Sequence, residues 1–219
     1  MMQHRSIIAI FKLLLLLCVV GTTHVYSQKV VGDMSLHYEL VAANNPHLDS
    51  GMISSAKKSL YVRGGMSLST LNFNGFNQSI IYNKNGDKAY ILYELNNQDY
   101  MSILSKDQWL QQYSRYKDLK LTINKNKTKQ ILGYSCMEAL ATLQDGTQIS
   151  IYFYPKLKPT VSDNPYEADA VPGLILEYQV VVQDKYILTF TATSIDFSPV
   201  PAARFIIPKE GYRLLDGSE

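Results

Sequence analysis

Alternation of apolar and polar side chains dominates the chain. Met34, Leu36, Tyr38 and Leu40 alternate with polar residues, and this two-residue period predicts a strand with one buried face. The same pattern predicts further strands at about 59–69, 78–83, 88–95, 121–123, 129–132, 134–143, 148–154, 174–180 and 186–195. Polar residues and prolines predict loops at 42–56 and 155–171.

Turn chemistry sets how these strands connect. Asn85-Gly86 and Asp145-Gly146 predict hairpins, since such pairs accept the positive φ of tight turns. Residues 183–185 predict another turn. Gly64-Gly65 predicts a bulge or bend within one strand. Pro172-Gly173 predicts a type II turn, in which the glycine takes a positive φ.

One stretch changes to the period of a helix. Ser105 and Gln108 form a capping-box pattern, and Trp109, Tyr113 and Tyr116 then fall on one stripe. A helix is therefore predicted over 106–118. Its aromatic stripe fits an ordinary core-covering helix and a movable lid over a cavity equally well.

The number of strands predicts the architecture. Nine or ten strands joined by short turns form an antiparallel meander, and so large a sheet curls. The predicted fold class is mainly β: a curled antiparallel half-barrel with one or a few helices over its concave face. Such a covered trough can enclose a ligand pocket.

Residues 1–27 have the features of a secretory signal peptide. His4, Arg5 and Lys12 form a basic start, an apolar run of eight residues follows from Leu13 to Val20, and cleavage is expected after Ser27. The run is shorter than the roughly 20 residues that span a bilayer. The sequence therefore predicts a periplasmic or secreted protein whose residues 28–219 form a single domain.

Charge and cysteine content narrow the function. The chain has 21 basic and 19 acidic residues, and the leader holds two of the basic ones, so the mature chain has no net charge. This argues against a nucleic-acid partner. Cys136 is the one cysteine outside the leader, which excludes an internal disulfide. It is expected to be a small buried residue.

Several motifs together resemble the GLPGLI family of secreted Bacteroidetes proteins. They are Lys58-Ser59-Leu60-Tyr61-Val62, the stretch from Lys129 to Cys136, the signature at 170–175 with its turn residues Pro172 and Gly173, and Asp196-Phe197-Ser198-Pro199. The signature reads Ala-Val-Pro-Gly-Leu-Ile here. The resemblance implies an envelope location and, more distantly, the fold of the periplasmic lipoprotein carriers and receptors.

Few residues suggest catalysis. His37 and His47 are the histidines outside the leader, and their spacing makes a poor metal site, so neither a metal nor a cofactor is predicted. A Cys136–His37 pair could form only through the fold. Glu138 and Glu177 are expected to face solvent. The prediction is that the protein is not an enzyme.

The favoured hypothesis is a non-catalytic envelope protein that buries an acyl chain or lipoprotein segment between sheet and helix. Its partners would be a lipid, a lipoprotein or an outer-membrane or envelope protein. The alternating pattern nominates as lining residues Met34, Leu36, Tyr38, Trp109, Tyr113, Ile151, Phe153, Leu174, Leu176 and Tyr178. The same residues could instead form a closed dry core.

Two other classes stay open. A structural or interaction module of the envelope would have a filled interior and a large exposed apolar patch. A thiol- or histidine-dependent enzyme would expose Cys136 or a histidine in a cleft, beside a hydrogen-bonding partner.

Overall fold

Strands make up most of this protein. A computed structural model describes residues 28–43, 56–73, 75–95, 98–182 and 186–215, so the leader, His47 and the turn at 183–185 lie outside the described residues. The strands are β1 Lys29–Val31, β2 Asp33–Ala43, β3 Lys57–Arg63, β4 Met66–Phe73, β5 Phe76–Asn83, β6 Lys88–Leu95, β7 Gln98–Ser105, β8 Lys120–Ile131, β9 Tyr134–Thr142, β10 Gln148–Tyr154, β11 Leu157–Pro159, β12 Leu174–Val182, β13 Tyr186–Asp196 and β14 Arg213–Leu214.

Twelve of these strands form one sheet. Its order is β14-β7-β6-β5-β4-β3-β2-β13-β12-β10-β9-β8, and every pair is antiparallel except β14 with β7. The two end strands, β14 and β8, do not pair with each other, so the curled sheet stays open. This confirms the predicted mainly β half-barrel class.

Both hairpins are confirmed, but the first does not turn through a positive φ at Asn85 and Gly86, because the left-handed residue there is Asp87, with a φ of 49°. Two strand predictions are wrong. Gly64 and Gly65 make a tight turn between β3 and β4, not a bulge in one strand, because Gly64 adopts a left-handed φ of 56°. The region 121–132 is one strand, β8, interrupted by a register shift between Asn124 and Thr128. Strand β7 was not predicted, and its apolar and polar residues alternate poorly.

The Pro172-Gly173 prediction is also wrong. Gly173 has no positive φ, so the turn is not type II. The position needs glycine because a Cβ there would lie 2.5 Å from both Cδ2 of Phe153 and the carbonyl oxygen of Tyr154. Close approach of the chain to β10, not turn geometry, therefore explains this residue.

The helix is shorter than predicted. α1 spans Lys106–Gln112 and a 3-10 turn follows at Ser114–Tyr116. The capping box is confirmed, since the Ser105 hydroxyl accepts from the Gln108 amide and the Gln108 side chain accepts from the Ser105 amide. None of the described helices is long and apolar enough to cross a membrane.

The predicted loop at 155–171 contains structure. It includes β11 and a second helix, α2 (Pro165–Ala170), and we call residues 155–172 the covering segment. Strand β1 pairs with β11 in parallel, and the Gln28 side chain donates to the carbonyls of Pro155 and Pro172 at 2.9 Å each. The start of the described chain thus ties the covering segment to the sheet.

Both faces of the sheet bury apolar side chains. The larger cluster fills the concave face and includes Met34, Val62, Trp109, Ile151 and Phe153. A second cluster on the other face consists of Leu68, Ile81, Leu92, Val200 and Phe205. Because the last two come from the segment after β13, the C-terminal region covers part of the convex face.

Candidate functional site

A cleft of about 120 Å³ lies between the concave face and its cover. Strands β2, β3 and β12 form its floor, while the end of α1, the 3-10 turn and the covering segment form its walls. Its lining residues are Tyr38, Lys58, Leu60, Tyr113, Tyr116, Lys158, Pro159, Ser162, Asp163, Asn164, Glu167, Gly173, Leu174, Ile175, Tyr178 and Val180.

An ion pair joins the floor of the cleft to its wall. Lys58 Nζ lies 2.5 Å from Asp163 Oδ2 and also donates to the Tyr178 hydroxyl at 2.7 Å. Ser69 donates to Asp163 at 3.1 Å. Burial disfavours both charges, but the pairing prevails: it lowers the pKa of Asp163 and raises that of Lys58.

Four tyrosines surround the same space. Tyr38 and Tyr178 meet edge to face with ring centroids 5.4 Å apart, and the Tyr38 hydroxyl donates to the Ile175 carbonyl at 2.9 Å. Tyr113 and Tyr116 lie opposite, on the helical side. Burial raises the pKa of all four, that of Tyr116 to about 12, so they remain neutral phenols.

Glu167 is the unusual charge of the cleft. It is 6% exposed, and α2 holds it in place because the Asn164 side chain caps that helix by accepting from the amides of Tyr166 and Glu167. Burial, reinforced by the like charge of Asp163, raises the pKa of Glu167 from 4.5 to about 7. Its carboxylate forms no ion pair with any cation of the described chain.

The residues nominated from sequence divide into two groups. Tyr38, Tyr113, Leu174 and Tyr178 line the cleft. The other six pack into the concave core away from the cleft, and they are Met34, Leu36, Trp109, Ile151, Phe153 and Leu176.

Sequence reasoning missed the charged members of the cleft. Lys58 was visible as the one charged residue on the inward-facing positions of β3, which continue as Leu60 and Val62. Asn164-Pro165 was a helix-start signal, with an N-cap residue followed by proline at the first helical position. Applying that rule would have placed Glu167 in the first turn of a helix.

Two carboxylates on the convex face are buried, contrary to the prediction that they face solvent. Glu138 is 5% exposed and accepts from Lys127 at 2.6 Å, whereas Glu177 is 6% exposed and accepts from Lys129 at 2.7 and 2.8 Å. Edge strand β8 supplies both lysines, so its side chains cover this face of the sheet. The hydrogen bond from Lys127 lowers the pKa of Glu138.

Cys136 has the features of a structural residue. It is fully buried, as expected, and burial raises its pKa to about 11, which opposes formation of a thiolate. His37 lies on β2 and bonds the Ser59 hydroxyl at 2.8 Å. Four strand steps separate β2 from β9, or about 19 Å at 4.8 Å per step, so Cys136 and His37 cannot pair.

Two other grooves are larger than the cleft and more open to solvent. One of about 730 Å³ is lined by residues that include Tyr134, Met137 and Tyr154. Another of about 730 Å³ runs beside α1 past Leu110 and Tyr166. Within the described residues, no group of three or more metal-ligating side chains occurs.

Comparison with known proteins yields structural neighbours of low identity. No family model and no curated protein matches the chain. A DUF1329 family protein from Desulfovibrio piger is 10% identical at a TM-score of 0.35, covering 80% of this chain and 90% of that one. The MucA/MucB complex of Pseudomonas aeruginosa is 10% identical at a TM-score of 0.40, and the match covers 80% of this chain and 56% of that one. A third neighbour is a structure from Vibrio parahaemolyticus named as an outer membrane lipoprotein-sorting protein domain. It is 10% identical at a TM-score of 0.23, and the match covers 80% of this chain and 89% of that one.

Proposed function

We propose that this protein is a non-catalytic binding protein of the cell envelope, exported by residues 1–27 and acting in the periplasm or beyond it. Residues 28–219 would form one binding domain, and the cleft would hold part of the ligand. The signal-peptide pattern supports the location. The resemblance to the GLPGLI family agrees with it, and that family assignment stays a prediction.

The observation that carries the proposal is an unfilled space in a concave face that is otherwise closely packed. Protein interiors hold few voids larger than a water molecule, yet this cleft measures about 120 Å³. That is room for about four waters, at roughly 30 Å³ each. Its rim residues Tyr116, Lys158 and Val180 are half-buried, so a ligand can reach it from solvent.

Size restricts the ligand. A cavity of roughly 150 Å³ accepts benzene, so this smaller cleft accepts a group of fewer than six carbon atoms with its cover in place. A whole acyl chain would require the covering segment to move. We therefore propose that the end of an acyl chain, or a side chain of a lipoprotein segment, enters the cleft.

The reactive residues support a role other than catalysis. The buried thiol of Cys136 has a raised pKa and is remote from His37, which argues against a thiol mechanism. The ionisable groups of the cleft are an ion pair, four neutral tyrosines, Lys158 and Glu167. Asp163 accepts from the hydroxyls of Ser69 and Ser162, but its carboxylate is paired with Lys58 and its pKa is lowered, which makes it a poor general base.

Native mass spectrometry tests the proposal. Protein purified from cell envelope without detergent should carry a bound small molecule, and Val180→Phe should abolish that mass increment by filling the cleft. Val182→Phe is the matched control, because it lies on the same strand, is 38% exposed and does not line the cleft. A folded wild-type protein with no adduct, but with a co-purifying protein that Val180→Phe retains, would favour the interaction module instead.

A further inference from the structure

We propose that the cleft selects a positively charged group, specifically a protonated amine, with Glu167 as its counter-ion and the tyrosine rings as its walls. This inference rests on the proposed binding function and assigns the chemistry of the ligand. It follows from the way in which charges and rings are distributed around the cleft.

Glu167 is a buried carboxylate that lacks a cationic partner. The nearest cation, Lys58, is occupied by Asp163 at 2.5 Å and by the Tyr178 hydroxyl at 2.7 Å. Asp163 repels a charge on Glu167 more strongly than Lys58 attracts it. Burying an unpaired charge is costly, and no cation of the described chain pairs with Glu167. A cation that enters the cleft therefore supplies the missing counter-ion.

Two lysines and two carboxylates line the cleft, so its formal charge is zero when Glu167 is ionised, and Glu167 is the carboxylate that has no ion pair among the described residues. Lys58 and Asp163 neutralise each other, and the four tyrosines are neutral. Lys158 also lines the cleft from β11, but it is half-buried and forms no ion pair with Glu167. A cation beside Glu167 is attracted by that carboxylate and opposed by Lys158 and, in part, by Lys58, whose charge Asp163 offsets. An anion at the same place would be repelled by Glu167.

The tyrosine rings suit the same ligand. Tyr38, Tyr113, Tyr116 and Tyr178 line the cleft on both its floor and its helical wall. The Tyr178 ring already has Lys58 Nζ 4.9 Å from its centroid and stacks on Phe190, so the other three rings are the ones left for a ligand. The faces of aromatic rings attract cations, and cages of such rings are a common way to recognise ammonium groups. The volume of about 120 Å³ matches an alkylammonium of a few carbon atoms.

Calorimetry with three probes of similar size tests the inference: n-butylammonium, n-butanol and butyrate. The ammonium should bind most tightly. Because it requires the ionised carboxylate, its affinity should rise about tenfold per pH unit from about pH 5 to about pH 7 and then level off. Glu167→Gln should lower the affinity at least tenfold at about pH 8 and remove the pH dependence. Glu39→Gln, on an exposed position of β2, is the control and should change neither.

The opposite pH dependence would overturn the inference. Tighter binding of n-butanol or butyrate, or an affinity that increases as the pH falls, would show that the cleft does not select a cation. The cleft would then still be a binding site, so the proposed function would stand. An envelope-derived adduct that Val180→Phe removes, together with no binding of n-butylammonium, would likewise overturn the selection of a cation and leave the proposed binding function in place. The absence of any adduct and of any probe binding would overturn both.

Discussion

Lys58 Nζ lies 2.5 Å from Oδ2 of Asp163, and this contact joins strand β3 to the segment that covers it. Both side chains are largely buried, with 17% and 16% of their surfaces exposed. The pair is therefore an ionic link between the concave face and its cover, and hydrogen bonds of Ser67 and Ser69 to the covering segment add to it.

Removing the lysine should destabilise the protein strongly. Lys58→Met leaves the buried Asp163 carboxylate without a counter-ion, and we expect the free energy of unfolding to fall by about 3–5 kcal/mol in urea titrations. Lys106→Met breaks an exposed pair with Asp87 and should cost under about 1 kcal/mol. The double variant Lys58→Met, Asp163→Leu should recover most of the loss; equal costs for the two single lysine variants would contradict this account.

Gly173→Ala should test the close approach of the chain to β10. The added Cβ would lie 2.5 Å from Phe153 and from the Tyr154 carbonyl, so we expect a loss of about 1–3 kcal/mol in thermal or urea unfolding. Gly32→Ala is the matched control, since its nearest neighbour would be 4.0 Å away and its φ is not left-handed. A harmless Gly173→Ala would show that β10 can shift to accommodate a methyl group.

Trp109 connects helix α1 to the sheet. It is 1% exposed, stacks on Tyr82 and meets Tyr113 edge to face, yet its Nε1 has no hydrogen-bond partner. We expect Trp109→Ala to cost about 3–5 kcal/mol. Trp109→Phe should cost about 2 kcal/mol less, because it keeps a ring and removes a buried donor that is unsatisfied. Equal costs measured by urea unfolding would mean that the indole nitrogen contributes a bond.

The pH dependence of stability should reveal Glu167. Its pKa is about 7 in the folded protein and near 4.5 when unfolded, so the folded state binds the proton more tightly. The stability contributed by the protonated group is therefore complete below about pH 4.5 and is lost as the pH rises to about 7, by about 3 kcal/mol in all. Glu167→Gln should remove this loss, and the difference between the two unfolding curves isolates the group. A wild-type curve parallel to that of the variant would contradict the assignment.

Cys136 should be inert in the folded protein. Because it is fully buried and its pKa is raised to about 11, an aromatic disulfide reagent should label it only after unfolding. Labelling in urea provides the control that the thiol is intact. Rapid labelling under native conditions would require β9 to open.

The alternating pattern was sufficient to predict the half-barrel, because the inward-facing residues of strands such as β2 are mostly apolar. It could not separate packed residues from cleft residues: Leu36 and Tyr38 share one face of β2, but only Tyr38 reaches the cleft. That difference depends on where the covering segment lies, which is a long-range property. The burial of Glu138 could not be predicted from its own strand either, because Lys127 of the neighbouring strand covers it.

Strand β2 has β3 on one side and β13 on the other, so this pairing joins two meanders that are each local in sequence, and the shorter pairings of β1 with β11 and of β14 with β7 add to it. Contacts between distant parts of a chain form late, because loop closure must precede them. We therefore expect each half to assemble before that seam closes, and the unjoined edges of β2 and β13 to be the place where misassembly begins.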